Sequence, residues 1–338
     1  MKNLFLPFIF LALQWNPLAI QAQNAVQPTI FELLSQKEAA KIGLELNMEA
    51  LLKNRRTNAT QDAVFTTEDG KAFKADVRIR GRFRRMKCET PPLRVKFSKK
   101  GLVSQGLDTL NNLGITMPCM DNDNGDDLVA KEYIAYRIFE LLTPNSVKAR
   151  LAKVSLKDPN GKKKKNMVCI LIEDDNETAR RLKGRSVVNF GVQTDSILHE
   201  QYALVVLFEY LIGNTDWDIS MHRNLRYIVP ENGGKPIVIP YDFDFSGLVA
   251  APYASPSSES GLTHVRERRM MDTGLTEDEL RKAANTIKNA EKEIMKLCDL
   301  EHLSSGAAED ARMFLKSFFE KLESSKDLPK KMNWDARQ

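Results

Sequence analysis

The sequence predicts an α+β fold: a sheet-rich first half carrying one inserted helix, then a helix-rich second half that holds a small β-hairpin. Three observations carry this expectation. Residues 62–100 alternate apolar and polar side chains around the turn Glu68-Asp69-Gly70-Lys71, with Val77, Ile79, Leu93, Val95 and Phe97 in phase, as half-buried strands require. Residues 200–212 are almost wholly apolar, which only a helix buried on all sides tolerates. Two short apolar runs, Leu225 to Val229 and Pro236 to Ile239, flank the turn Pro230-Glu231-Asn232-Gly233-Gly234 and read as a hairpin.

The remaining elements follow in order. Met1 to Gln23 has one cation, Lys2, an apolar run from Leu4 to Leu13, a break at Pro17 and a small residue at Ala22, the pattern of a secretory leader over 1–22. The run is shorter than the roughly 20 apolar residues needed to span a bilayer, so no stable span is expected after cleavage. Residues 23–60 read as an extension with an opening strand and a turn of helix, 61–180 as the sheet-rich part, and 181–338 as the helix-rich part. Leu128 to Leu142 is an amphipathic helix stopped by Thr143-Pro144. Ala152 to Leu156 and Met167 to Ile172 are two strands joined by a lysine-rich tip, and charged amphipathic helices fill about 276 to 325.

Composition narrows the function classes. The 338 residues are 42% hydrophobic and 28% charged, with a net charge of +5, an excess too small and too scattered to call for nucleic acid. Mean hydropathy is −0.37, which argues against a multi-span membrane protein. The four cysteines show neither a CxxC nor a Cys/His spacing, so a zinc cage is excluded. In an exported chain Cys88 and Cys119 are expected to pair across a loop of about 30 residues, worth roughly 3 kcal/mol in the chain-entropy model. Cys169, inside an apolar run, reads as a buried thiol. Four histidines supply no set for a histidine metal site or a Ser/His/Asp triad.

The chemistry-bearing residues cluster twice within 213–247. Gly213-Asn214-Thr215-Asp216-Trp217-Asp218 through His222-Arg223-Asn224 leaves the buried helix and enters the hairpin, and Pro240-Tyr241-Asp242-Phe243-Asp244 leaves it. A hairpin returns its ends to one place, so Asp216 and Asn224 are expected beside Asp242 and Asp244. Each cluster alone also fits a turn, where Asp and Asn cap backbone groups. Together they offer carboxylate and amide oxygens, which suit Mg²⁺ or Mn²⁺ bound with substrate phosphates. An Asp that orients an acceptor, an Asn further on and a second Asp holding metal form the working set of phosphoryl transfer. In the first half, Arg94 and Lys96 share one strand face while Leu93, Val95 and Phe97 share the other, so that face presents cations to solvent or to an anion.

Asn214-x-Asp216 with Asn224 eight residues beyond, followed by Pro240-Tyr241-Asp242, resembles the CotH family of atypical secreted protein kinases. Val77-Arg78-Ile79-Arg80-Gly81, Pro91-Pro92-Leu93-Arg94-Val95-Lys96-Phe97 and Glu132-Tyr133-x-Ala135-Tyr136 extend the resemblance over roughly residues 60 to 255. It departs where relatives often carry serines after the Arg-Gly and this chain has Arg82-Phe83-Arg84-Arg85. The resemblance implies a two-lobed protein-kinase-like fold and ATP with Mg²⁺ or Mn²⁺. It implies transfer to a protein Ser/Thr acceptor outside the cytoplasm, in the periplasm or at the cell surface; a non-catalytic surface or coat-associated binding protein is the alternative. Carried over, Asp216 is catalytic, Asn224, Asp242 and Asp244 are metal ligands, and Lys96 or another cation contacts phosphate with Glu132 as its helix partner. Arg80 joins the nucleotide site and Glu173 falls where a hinge would be.

Overall fold

The computed structural model describes residues 27–120, 123–159, 164–271 and 274–324; the leader expected over 1–22 lies outside them. Seven strands run β1 (Ala39–Leu46), β2 (Gln61–Thr67), β3 (Ala72–Ile79), β4 (Leu93–Phe97), β5 (Asn112–Thr116), β6 (Ala149–Lys157) and β7 (Lys164–Ile172). They form a closed barrel in the order β1-β2-β3-β4-β5-β7-β6. Alternation along each strand sends Leu44, Phe65, Val77, Val95, Leu113 and Leu171 into one interior, where Phe97 meets Phe65 and Phe73 edge-on at 5.1 and 6.0 Å. The short helix α1 (Ile30–Leu34) adds Ile30, Phe31 and Leu34 to this interior, its first turn held by a capping box between Thr29 and Glu32.

The sheet expected of the first half closes on itself. Residues 39–46, read as part of an extension, form β1, which pairs antiparallel with β2 and parallel with β6 and so closes the sheet. Ala40, Ile42, Leu44 and Leu46 are buried in alternation, but the parallel partner lies more than a hundred residues away and leaves no local mark. The apolar run of β7 is explained by burial on both faces: Met167, Cys169 and Leu171 point into the barrel, while Ile170 and Ile172 join a second core.

That second core is helical. Between β1 and β5 lie the short helices α2 (Met48–Lys53), α3 (Phe83–Lys87) and α4 (Lys99–Ser104); α5 (Asp123–Leu142) follows β5 and packs on β6 and β7. After β7 come α6 (Asp175–Arg181), the strand β8 (Gly184–Val187) and α7 (His199–Ile212), buried from Gln201 to Ile212 as its all-apolar sequence demands. The strands β9 (Leu225–Pro230) and β10 (Ile237–Pro240) form the expected hairpin and join β8 in a three-stranded sheet. Helices α8 (Glu277–Asn289), α9 (Glu291–Lys296) and α10 (Ser305–Ser324) close the chain. No helix among the described residues is long and apolar enough to cross a membrane.

Cys88, which ends α3, is bonded to Cys119, which lies between β5 and α5, at a Cα separation of 4.5 Å; Cys169 and Cys298 are buried free thiols. The bridge spans 31 positions, so replacing both cysteines by serine should lower unfolding stability. Urea denaturation with and without reductant measures this: a loss of roughly 3 kcal/mol is expected, and midpoints that coincide would show that the bridge contributes nothing.

Candidate functional site

Helix α7 stops at Gly213, whose φ of 65° ends the helix in the left-handed region. Asn214 then fixes the loop: its amide donates to Glu209 Oε2 at 2.9 Å and its Oδ1 accepts from the Asp216 backbone N–H at 3.0 Å. Burial pushes the Glu209 carboxyl well above the usual carboxylate range, against the hydrogen bond from Asn214. Asn224 reaches back and donates to the carbonyl and to Oδ2 of Asp216, at 2.6 and 3.0 Å. Arg223 Nε stands 3.6 Å from Asp216 Oδ1. Asp218 instead serves its own turn, its Oδ1 accepting from Ser220 Oγ at 2.8 Å and the Met221 N–H at 2.6 Å.

The hairpin closes the arrangement. Leu225 pairs with Pro240, and one step outward the Tyr241 N–H donates to the Asn224 carbonyl at 3.0 Å. The Asp242 N–H donates to Tyr136 Oη on α5 at 3.0 Å. Asn224 and Asp242 both sit at positive φ, 53° and 68°, strained conformations that Asn and Asp tolerate better than most residues. The fold thus brings Asp216, Asn224 and Asp242 together. Burial and the nearby Asp242 charge raise the Asp216 carboxyl above its usual range, against the opposing pull of Arg223 and Asn224.

A cation sits at the middle of this site. Arg84, from α3, donates to both oxygens of Glu132 at 2.8 and 3.0 Å, donates to Asp242 Oδ1, and places Nε 3.2 Å from Asp244 Oδ2. The Arg84, Glu132 and Asp244 side chains are 7%, 2% and 7% exposed, whereas Asp242 keeps 29% and forms the open edge. One guanidinium faces three carboxylates. Burial and the neighbouring carboxylates push Asp244 up to about 8 despite Arg84, and burial likewise raises Glu132. Glu132 and Asp244 thus both hold a proton more tightly than a free carboxyl. The Tyr253 hydroxyl completes the cluster by donating to Asp244 Oδ2 at 3.1 Å.

Several expectations are corrected. The cation partner of Glu132 is Arg84, not Lys96: Lys96 stands on the exposed outer face of β4, level with Asp76 and Asn112 on the adjoining strands. Glu173 is engaged within the fold. Its carboxylate takes the Lys148 N–H at 2.9 Å, Thr178 Oγ1 at 3.0 Å and a two-pronged contact from Arg181 at 2.8 and 2.9 Å, so it braces the start of α6. Asp244 is turned toward Arg84 and Tyr253. Arg80 lies across Gly114 of β5, where a Cβ would collide with its Nη1, and its charge acts on Glu132 and Tyr136. Arg84 is one of three arginines in Arg82-Phe83-Arg84-Arg85; the signal that singles it out is Cys88, one helical turn on and therefore on the same face.

The donor set can be tested against a divalent cation. Asp242 Oδ2 and Asn224 Oδ1 accept no hydrogen bond among the described residues, which leaves a carboxylate and an amide oxygen beside Asp216. This suits a hard cation that takes the rest of its shell from phosphate oxygens and water. No group of three or more His, Cys, Asp or Glu side chains among the described residues could hold a metal unaided.

Arg84→Met should leave the buried carboxylates without their cation. A loss of about 3–5 kcal/mol is expected from breaking such a pair, and urea unfolding should show it larger at pH 8 than at pH 5, where Asp244 holds its proton. The sign for the intact chain follows from Asp244. Its folded-state value of about 8 exceeds the ordinary 3.8, so the folded chain holds the proton more tightly. Its contribution is fully present below the ordinary value and is lost as pH rises toward the folded one. Asp244→Asn, which fixes the neutral form, should flatten that decline; an unchanged slope would show that Asp244 does not titrate in this interval.

No protein-family model matches the sequence, and no curated protein matches it. Among solved structures the chain is similar to one described as the crystal structure of a Helicobacter pylori proinflammatory kinase, CtkA. The identity is 11%, with 68% of this chain and 89% of that chain covered, at a TM-score of 0.42. A likeness at that score assigns neither an activity nor a residue to this chain.

Proposed function

We propose that this chain is a CotH-like kinase that moves a phosphoryl group from a nucleotide to a protein Ser/Thr hydroxyl outside the cytoplasm. The observation that carries this reading is the convergence of Asp216, Asn224 and Asp242 at the two ends of the β9–β10 hairpin. Asp216 is the base: its raised affinity for a proton, at a carboxylate still 32% exposed, suits it to take the proton of an acceptor hydroxyl as the phosphorus–oxygen bond forms. Asn224 fixes the Asp216 carboxylate while keeping its own amide oxygen free. Asp242 and Asn224 would hold Mg²⁺ or Mn²⁺, which would neutralise the phosphate charge when bound. Arg84 fixes Glu132 and the inner edge of Asp242, so the second carboxylate oxygen of Asp242 keeps one direction.

The same arginine favours a second reading. A guanidinium already seated on Asp242 and Asp244 supplies part of the neutralisation that a metal would bring, which fits a chain that binds without turning over. Two variants separate the readings, with nucleotide affinity followed by calorimetry in Mn²⁺ and labelled phosphate followed into the chain itself or a generic acceptor. Asp242→Ala should abolish metal-dependent nucleotide binding, whereas Asp216→Ala should retain most binding and lose transfer. Equal affinity in wild type and Asp242→Ala would end the metal-site reading, and tight binding with no transfer to any acceptor would select the non-catalytic one. Export belongs to the same proposal: the amino terminus of the secreted chain should begin after about Ala22, and sequencing that returns Met1 would refute it.

A further inference from the structure

Outside the Asp216 site, a cavity of about 390 Å³ on the outer face of the barrel is lined by polar and charged residues: Thr60, Asp76, Arg78, Arg94, Lys96 and Asn112. We infer that this cavity binds a polyphosphate chain, so that the donor is recognised through its phosphates rather than its base. The inference rests on the phosphotransfer reading for the identity of the donor, while the cavity and its chemistry stand on their own geometry.

The placement follows from strand register. Val77, Val95 and Phe97 point into the barrel, so Asp76, Arg78, Arg94 and Lys96 must point out. Arg78 lies opposite Arg94, and Lys96 lies between Asp76 and Asn112, which sets the cations on neighbouring strands about 4.8 Å apart. Arg80, two residues beyond Arg78 on β3's face, continues the row across Gly114 toward Glu132 and Tyr136, and thus toward Asp242. The row therefore connects the cavity with the acidic end of the site.

The charges on this face do not balance. Three cations, Arg78, Arg94 and Lys96, stand against one carboxylate, Asp76, in the lining, an excess of two. Asp174 holds Arg94 at 2.7 Å, whereas Arg78, Arg80 and Lys96 have no ion-pair partner among the described residues. Burial, then the charges of Arg94, Arg85 and Arg80, lower the proton affinity of Arg78, a repulsion that a bound polyanion relieves. Guanidinium forks match phosphate oxygens in pairs, and Thr60 and Asn112 add neutral polar groups. No aromatic side chain lines the cavity, so a nucleobase meets no ring to stack on there.

The test is calorimetry on the full chain with inorganic tripolyphosphate, ATP, GTP and adenosine, each with and without Mn²⁺. Tripolyphosphate, ATP and GTP should bind within about threefold of one another and adenosine should not bind, as recognition without base contacts requires. Arg78→Gln with Lys96→Glu should weaken tripolyphosphate and ATP by at least about tenfold, the loss expected for charge-assisted contacts. Lys288→Glu, an exposed lysine on α8, should change neither. Equal weakening by Lys288→Glu would mean attraction to net charge alone and would overturn the inference. ATP binding that depends on Asp242 but ignores the cavity variants, with tripolyphosphate silent, would also overturn it and leave the phosphotransfer reading intact. Cavity-dependent tripolyphosphate binding in a chain that shows no Mn²⁺-dependent transfer would uphold the cavity and retire the phosphotransfer reading.

Discussion

A single buried guanidinium ties the molecule together. Arg84 leaves a five-residue helix on the barrel and meets Glu132 from α5 and Asp242 and Asp244 from the loop after β10, so three segments far apart in sequence end on one cation. The position of α3 is not its own doing. A helix so short has no independent stability, and its Arg84, Arg85 and Lys87 repel one another. Two constraints hold it: the bond from Cys88 to Cys119 at its end and the carboxylates ahead of it. Taking Arg84 out of water is costly, and three acids share one cation, so the joint is best understood as a positioning device rather than a source of net stability.

The hairpin contributes through its register. Because β9 and β10 pair to their ends, Asn224 and Tyr241 are hydrogen-bonded neighbours, and each lies one residue or less from a positive-φ position. Those strained turns re-aim Asn224 at Asp216 and Asp242 at Arg84, which regular strands would have carried past the site. Tyr136 locks the second turn from α5, with Phe243 packed against its ring at a centroid distance of 4.7 Å. The α5 helix therefore supplies both Glu132 and the clamp on Asp242.

What the sequence disclosed followed the range of each signal. Alternation marked β2, β3 and β4, the apolar run marked α7, and turn chemistry marked the β9–β10 hairpin, all local patterns. The hairpin also brought Asp216, Asn224 and Asp242 within one inference, because a short connection leaves no freedom in where its ends meet. The parallel closure by β1 and the inward turn of Arg84 were not legible, since both depend on partners more than forty residues away. Lys96 shows the limit of strand phase: its outward face was readable, but which cation meets Glu132 is decided by the short helix α3 rather than by the strand. Glu173 shows another: an acid beside a strand end reads the same whether it faces a ligand or, as here, Arg181 and Thr178.

Two fields of opposite sign lie side by side on this molecule. Asp216, Asp242, Asp244 and Glu132 make one end acidic, and Arg78, Arg80, Arg94 and Lys96 make the adjoining barrel face basic. If the purpose were stability alone, the cheapest arrangement would interleave the charges, as surface pairs elsewhere in the chain do, for example Arg281 with Glu277 and Lys282 with Asp278. Separation leaves like charges side by side in each field, which adds to the effect of burial in raising the Asp244 carboxyl and in lowering the proton affinity of Arg78. On the proposed reading, a polyanion carrying a divalent cation would relieve both repulsions at once, with Asp242 to hold the cation and Arg78 and Lys96 to meet the phosphate oxygens. Arg84 is then the residue that keeps the fields distinct in the free chain: it neutralises enough of the acidic end for the fold to persist, and it leaves the open edge of Asp242 unfilled.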